Sequence, residues 1–105
     1  MEYFSIIYRI LKIIESSMDV EEFDVKAISP EALHISETRW HIIMGELIQN
    51  GYIRGASFIP LPGHEVTQVR ITRPILTIKG AEYLHENTMM QKAYKLAKGI
   101  NDIIP

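Results

Sequence analysis

The stretch QNGYIRGASFIPLPGHEVTQVRIT, residues 49–72, decides the fold of this 105-residue chain. Its Asn-Gly pair at 50–51 predicts the end of a helix, because glycine adopts the left-handed conformation in which many helices stop. Residues 52–59 and 66–72 have the composition of two β-strands. The sequence PLPGHE between them, residues 60–65, supplies the prolines and glycine of a turn. The stretch therefore predicts a β-hairpin directly after a helix.

Three helices are expected before the hairpin. Residues 2–16 carry isoleucines at helical spacing, which favours a place at the centre of the core. Ser29 is positioned as the N-cap of a short second helix that starts at Pro30 and ends at Leu33 or His34, and Ser36 as the N-cap of a third, residues 37–49. The apolar face of the third helix consists of Trp40, Ile43, Met44, Leu47 and Ile48. Gly45 is expected on the opposite, exposed side.

Two more helices are expected after the hairpin. Thr77 is positioned to cap a fourth helix over 78–87, and residues 89–104 carry a fifth with its own apolar stripe. A short strand around 23–25 would complete a three-stranded sheet. The order predicts an α+β, mostly helical winged helix: a helix-turn-helix plus a β-hairpin wing, with one or two extra C-terminal helices. We expect one domain over 1–105, with a core over 1–88 on which helix 89–105 packs.

Charge is distributed unevenly along the chain, although its formal net charge is only -2. Residues 1–35 contain seven acidic and three basic side chains, whereas residues 36–79 contain three acidic and five basic ones. The chain as a whole is therefore not strongly attracted to nucleic acid, but the region around the hairpin is positive. The absence of cysteine fits a cytoplasmic protein, and neither a signal peptide nor a membrane-spanning segment is expected.

The C-terminal third resembles a known family. The segments LTIKGAEYLHEN, residues 76–87, and KAYKLAKGINDII, residues 92–104, are similar to the end of the YjcQ-like family of small winged-helix proteins, which are often found in prophage regions. The positions that carry the resemblance are Leu76, Thr77, Lys79, Gly80, Tyr83, Leu84, Lys92, Ala93, Tyr94 and Lys95. The resemblance implies a winged-helix fold and a phage setting, and it brings no activity and no site residue.

The third helix is the candidate recognition helix, because a helix in this position of a winged helix can enter the major groove of DNA. Arginine and glutamine are side chains that make bidentate contacts with bases. The alternative is a solvated face on a scaffold helix, since Glu37 and Glu46 would repel phosphate. The candidate base-reading residues are Thr38, Arg39, His41, Ile42 and Gln49.

The hairpin and the start of the fourth helix supply candidate phosphate contacts. Arg54, His64, Arg70 and Arg73 lie in or beside the hairpin, where they would neutralise phosphates. Alternatively, they are the charges that keep edge strands from pairing with other chains. Lys79 adds an ammonium group to a helix N-terminus, and this combination can bind phosphate. Alternatively, the Lys79 side chain is simply solvated. The neighbouring Gly80 is expected to allow close packing against the third helix.

No pattern in the sequence indicates catalysis. We find no nucleophile elbow, no glycine-rich phosphate loop and no metal-ligand spacing, so no enzyme activity, metal or cofactor is expected. The first hypothesis is a phage-type, cytoplasmic protein that binds double-stranded DNA as a small transcriptional regulator. The alternative is a protein-protein interaction module that docks through Ile42 or the FIPLP tip, residues 58–62. The last helix completes a monomer or pairs two copies in a homodimer.

Overall fold

A computed structural model describes the backbone of residues 3–97 and the side chains of residues 3–89. The elements in this part of the chain are α1 Tyr3–Ser16, a 3-10 helix Val25–Ile28, α2 Pro30–Leu33, α3 Glu37–Gln49, β1 Ile53–Ile59, β2 Gln68–Leu76 and α4 Ile78–Ala97. The fold is α+β, and its helices and antiparallel hairpin follow a winged-helix-like order. The fold class expected from the sequence is confirmed.

Helix α1 lies in the middle of the hydrophobic core, as its isoleucine spacing predicts. Ile6, Ile10, Leu11 and Ile14 are fully buried, whereas Tyr3 at the start of the helix remains 38% exposed. These side chains belong to one hydrophobic cluster to which every other element of the described chain contributes. Their buried neighbours are Ile28, Leu33, Ile43, Met44, Leu47, Ile53, Val69, Leu76 and Leu84.

Side-chain caps begin the helices at the expected positions. The hydroxyls of Ser29, Ser36 and Thr77 each accept a hydrogen bond from the backbone N–H three residues later, at 3.0–3.1 Å. Such a bond satisfies one of the N–H groups that a helix leaves without an internal partner. The Thr77 hydroxyl also donates to the Gly51 carbonyl at 2.6 Å. This second bond joins the start of α4 to the turn that follows α3.

The hairpin contains a bulge, and its second strand, β2, continues beyond the predicted end. β2 spans Gln68–Leu76 rather than 66–72, and it passes through the buried Pro74. Proline has no N–H for a strand ladder and is tolerated at bulges. Here the register shifts between Arg54 and Ala56, so that Gly55 alone faces residues 72–74. Gly55 has φ +82°, and a Cβ there would overlap the Arg73 carbonyl oxygen.

One face of the hairpin, which we call the inner face, packs on α3 through Phe58 and Val69. The Phe58 ring lies against Gly45, where an added Cβ would be 3.1 Å from Phe58 Cε1. The Val69 N–H donates to His41 Nδ1 at 3.0 Å. The prediction that Gly45 belongs to the exposed side of α3 is therefore wrong, because the hairpin covers that side of the helix.

Helix α4 is continuous where two helices were predicted. It runs from Ile78 to Ala97 without a break at 88, so the split into helices 78–87 and 89–104 is wrong. Asn87 and Thr88 lie where the two predicted helices meet, and their side chains donate to the carbonyls of Tyr83 and Leu84 at 2.8 and 2.9 Å. These bonds to the preceding turn satisfy the polar groups inside the helix. The predicted helical residues 98–104 lie outside the described part of the chain.

The expected third strand around 23–25 is absent from the described residues, in which the sheet has two strands and Val25 begins the 3-10 helix. A side chain takes over the role of joining this segment to β2. The Arg73 guanidinium donates to the carbonyls of Ser17 at 2.9 Å and Val20 at 2.7 Å, and it lies 5.6 Å from the centroid of the Phe23 ring. No helix within residues 3–97 combines the length and hydropathy needed to cross a membrane.

Candidate nucleic-acid interface

The solvent-facing arc of α3 holds most of the predicted base-reading residues. Thr38, Arg39, Ile42 and Gln49 are all exposed. At about 100° per residue, Thr38, Ile42 and Gln49 fall within roughly 40° of one another around the helix, and Arg39 lies to one side. The core covers the opposite face and the hairpin covers a flank. The arc is thus a polar strip with one apolar residue, Ile42, at its centre.

His41 does not belong to this arc. Its Nδ1 accepts the Val69 N–H, so the proton of the neutral ring sits on Nε2. Burial lowers the pKa of His41 below its ordinary value, against an opposing effect of Glu37, and His64 at the hairpin turn lowers this pKa further. The charge of His64 therefore reaches His41, although the two predicted site residues have no hydrogen bond to each other. The structure assigns His41 to the joint between α3 and the hairpin.

Arg54 and Arg70 lie on the outer face of the hairpin, which is turned away from α3. Side chains alternate between the two faces of a strand. Since Phe58 and Val69 face α3, the next pair, Ser57 and Arg70, must face outward. Arg54 pairs with the exposed Ile75 and lies next to the buried Ile53, so it also points outward. The two arginines are exposed, but they do not share a face with the α3 arc.

Arg73 and Lys79 are placed quite differently from each other. The Arg73 guanidinium lies against the carbonyls that follow α1, where it has a structural role. Lys79 is exposed at the start of α4, with its ammonium 5.6 Å from the Tyr52 ring centroid. The sequence therefore grouped side chains that the fold distributes over several surfaces.

Gly80 marks a close backbone approach, but its neighbour differs from the expected one. A Cβ at Gly80 would overlap the carbonyl oxygen of Tyr52 and lie 2.8 Å from Leu76 Cδ1. The contact is thus with the residue just before β1 and with the end of β2, and not with α3 itself. Close approach explains why glycine occupies a helical turn in which alanine is ordinarily favoured.

An aromatic groove near the end of α3 was missed by the sequence analysis. Tyr3, Phe4, Tyr52 and Tyr83 line a space of about 210 Å³, together with residues of α3 that include Glu46. Tyr52 and Tyr83 have ring centroids 5.0 Å apart. Burial, and to a smaller extent Glu46, raises the pKa of Tyr3. Because Tyr3 continues the isoleucine stripe of α1, only tertiary contacts could identify it as a groove residue.

The family model described as YjcQ protein matches residues 8–103, nearly the whole chain. The chain belongs to the YjcQ family. The YjcQ match extends well beyond the C-terminal motifs that suggested the family, and it includes α3, the hairpin and α4. Neither the curated proteins nor the solved structures contain a significant match to the chain.

The described part of this YjcQ-family chain presents hydrogen-bonding and charged side chains on its surface. Within it, no three His, Asp or Glu side chains come together in a way that would hold a metal ion. What it does present are a polar arc on α3, two outward arginines on the hairpin and an exposed lysine at a helix start. These are the side-chain types that proteins use to bind nucleic acid or another protein.

Proposed function

We propose that this YjcQ-family chain is a small, cytoplasmic, non-catalytic regulator that binds double-stranded DNA through α3. The observation that carries the proposal is the solvent-facing arc of Thr38, Arg39, Ile42 and Gln49 on a helix whose other sides are packed. A rigidly held helix that presents hydrogen-bonding side chains is suited to the major groove. The prophage setting rests on the family resemblance alone.

The two ends of the arc would have different tasks. Recognition helices contact base edges mainly with their N-terminal residues. Thr38, Arg39 and Ile42 are therefore the base-reading candidates, with Ile42 suited to a thymine methyl group. Gln49 is ten residues beyond Arg39, or about 15 Å along the helix, so it would contact the phosphate backbone.

Attraction to the phosphates would come from outside α3, because Glu37 and Glu46 balance Arg39 on the helix. Arg54 and Arg70 are the strongest candidates. They lie on the outer face of the hairpin, but a two-stranded sheet is narrow, with strands about 4.8 Å apart. Long arginine side chains can reach around such an edge to a DNA backbone lying beside the hairpin. Lys79 would serve the same purpose at the N-terminus of α4.

Fluorescence anisotropy with a labelled, mixed-sequence duplex tests the proposal. We expect binding at low salt that weakens steeply as salt is added. Replacing both Arg54 and Arg70 with alanine should flatten the slope of log K against log salt by about 1.8, since each lost phosphate contact contributes about 0.9. Arg39→Ala should instead change the preference among selected sequences, by about 1–3 kcal/mol at one base pair.

Lys26→Ala is the matched control, because it removes an exposed positive charge from the α1–α2 side of the molecule. It should leave the salt slope unchanged. The proposal fails if the wild-type chain does not bind DNA at low salt. The proposal is also contradicted if Lys26→Ala flattens the salt slope as much as the Arg54 and Arg70 replacements do. Binding would then depend on the net charge of the chain and not on the hairpin.

The second candidate function is protein binding by the same surface. It is favoured by exposed apolar side chains, since Ile42 is 45%, Phe58 37% and Leu61 50% exposed. Protein partners commonly cover such groups. We expect a partner captured in this way to be retained at high salt and lost in an Ile42→Ser variant. If nucleic acid alone is retained, and is released by salt, this second candidate is excluded.

The oligomeric state is a separate part of the proposal. The apolar stripe predicted for 89–104 would join two copies in a homodimer or complete a monomer. Its side chains beyond Met89 lie outside the described part of the chain, so both alternatives stay predictions. A dimer would require two half-sites in DNA about one helical turn apart. Light scattering of the full chain distinguishes the two states directly.

A further inference from the structure

The connection between α1 and the 3-10 helix presents apolar side chains that the proposed function does not use. Met18, Val20 and Val25 are 56%, 53% and 42% exposed. Of these three, Val20 lines a shallow groove of about 370 Å³, and the partly buried Ile13 and Phe23 are among the other lining residues. We call this surface, residues 13–27, the connection surface.

The connection surface has a defined shape although it lacks regular secondary structure over residues 17–24. The Arg73 guanidinium bonds to the Ser17 and Val20 carbonyls and lies over the Phe23 ring. The Asp24 carboxylate accepts the Lys26 N–H at 3.1 Å and so caps the 3-10 helix. A surface held in place before a ligand arrives loses less conformational entropy on binding.

The charge around the groove is strongly negative. Residues 13–27 contain five acidic side chains and one basic side chain, Lys26. Four of the acidic ones lie within 19–24, namely Asp19, Glu21, Glu22 and Asp24. The one guanidinium at this place, that of Arg73, lies against backbone carbonyls. An acidic loop that only kept the chain in solution would not need several large apolar side chains beside its carboxylates. The combination instead complements a ligand that is both apolar and cationic.

We propose that the connection surface docks a basic amphipathic segment of a protein partner. The apolar side chains of that segment lie in the groove over Val20 and Phe23, and its lysines or arginines face Glu21, Glu22 and Asp24. The same carboxylates repel DNA, so this surface is distinct from the α3 arc. The proposal does not depend on DNA binding, and either one can fail while the other stands.

A labelled peptide of about 14 residues, or four helical turns, is the probe. It carries leucines on one helical face and lysines on the other, and a matched peptide has glutamate at each lysine position. We expect the full-length chain to bind the lysine peptide at least about tenfold more tightly than the glutamate peptide at low salt. Val20→Ser should weaken binding of the lysine peptide by about fivefold, because an apolar contact is lost.

Charge reversal at the rim supplies the second test. The double variant Glu21→Lys and Glu22→Lys should lose most of its affinity for the lysine peptide and gain affinity for the glutamate peptide. The matched control is Glu82→Lys with Glu86→Lys, which makes the same change in net charge on an exposed part of α4. The control should retain most of the wild-type affinity, and circular dichroism should show native helicity in every variant.

Three results would overturn the proposal. The first is equal binding of the two peptides by the wild-type chain. The second is an equal loss of affinity for the lysine peptide in the Glu82 and Glu86 control, because binding would then follow net charge alone. The third is self-association of the chain that Val20→Ser abolishes, because a second copy would then occupy the surface. An unchanged peptide affinity in Arg39→Ala is expected, whatever that variant does to DNA binding.

Discussion

Replacing Arg73 with alanine should destabilise the fold far more than an ordinary surface substitution would. The Arg73 guanidinium donates to the carbonyls of Ser17 and Val20 at 2.9 and 2.7 Å, and also contacts the Ser17 hydroxyl at 3.3 Å. Hydrogen bonds from charged donors contribute about 1.5–3 kcal/mol each, and those of a single group do not add fully. Because Arg73 is only partly buried, we expect the free energy of unfolding to fall by about 3 kcal/mol.

Urea and thermal unfolding followed by circular dichroism measure this change. For a domain of this size, 1 kcal/mol corresponds to about 4–8 °C, so a loss of about 3 kcal/mol should lower Tm by roughly 12–24 °C. Arg73→Lys should recover less than half of the loss, since one ammonium cannot reproduce the forked geometry of a guanidinium. Arg70→Ala, on the outer face of the same strand, should change stability by no more than about 0.5 kcal/mol.

A result in which Arg73→Ala and Arg70→Ala unfold alike would refute this reasoning, because the bonds to the α1 end would then contribute nothing. The same variants also separate the structural role of Arg73 from the phosphate contact that the sequence predicted for it. At a temperature where Arg73→Ala is fully folded, unchanged DNA affinity would identify it as a structural residue. A reduced salt slope under those conditions would mean that its guanidinium also contacts phosphate.

Two further substitutions test other contacts of the fold. Gly80→Ala should lower the free energy of unfolding in urea by about 2–3 kcal/mol, because the added Cβ meets the Tyr52 carbonyl. This loss is expected although alanine normally favours helices. The control Ala81→Ser, at the exposed next position, should change the stability little. The second test uses His41, whose pKa is lowered by burial in the folded chain. Below about pH 6.5 the unfolded chain therefore binds more protons than the folded chain. Because protons then favour unfolding, Tm should fall as the pH is lowered from 7 towards 5. His41→Asn, whose side-chain oxygen can still accept the Val69 N–H, should reduce that dependence, and an unchanged pH profile would contradict the assignment.

Local signals in the sequence were enough to predict the three helices before the hairpin, the hairpin itself and the start of the helix that follows it. Ser29, Ser36 and Thr77 bond to backbone groups a few residues away, so their capping role depends on short-range geometry alone. The Asn-Gly stop and the turn at residues 60–65 are local in the same sense. The isoleucine spacing of α1 predicted a central helix because burial follows the helical period. The family, too, was indicated by a contiguous motif at the C-terminus.

The candidate interface was predicted less completely, because membership of a surface depends on distant neighbours. Thr38, Arg39, Ile42 and Gln49 share the exposed arc that helical periodicity gives them. His41 and Gly45 have the same periodicity, but the hairpin covers them through contacts with residues 13–28 positions later in the chain. No periodicity within α3 could indicate where that hairpin would lie.

The sequence by itself determined where most helices begin, where the hairpin turns and which helix is central, because caps, turn residues and apolar periods act over a few residues. It also determined the uneven distribution of charge along the chain. Only the tertiary structure decided that Arg73 would bond to carbonyls 53 and 56 residues away. It also decided that Arg54 and Arg70 would face away from α3. The physical reason is that a side chain's partner is set by the packing of whole elements, which brings together residues that are far apart in sequence.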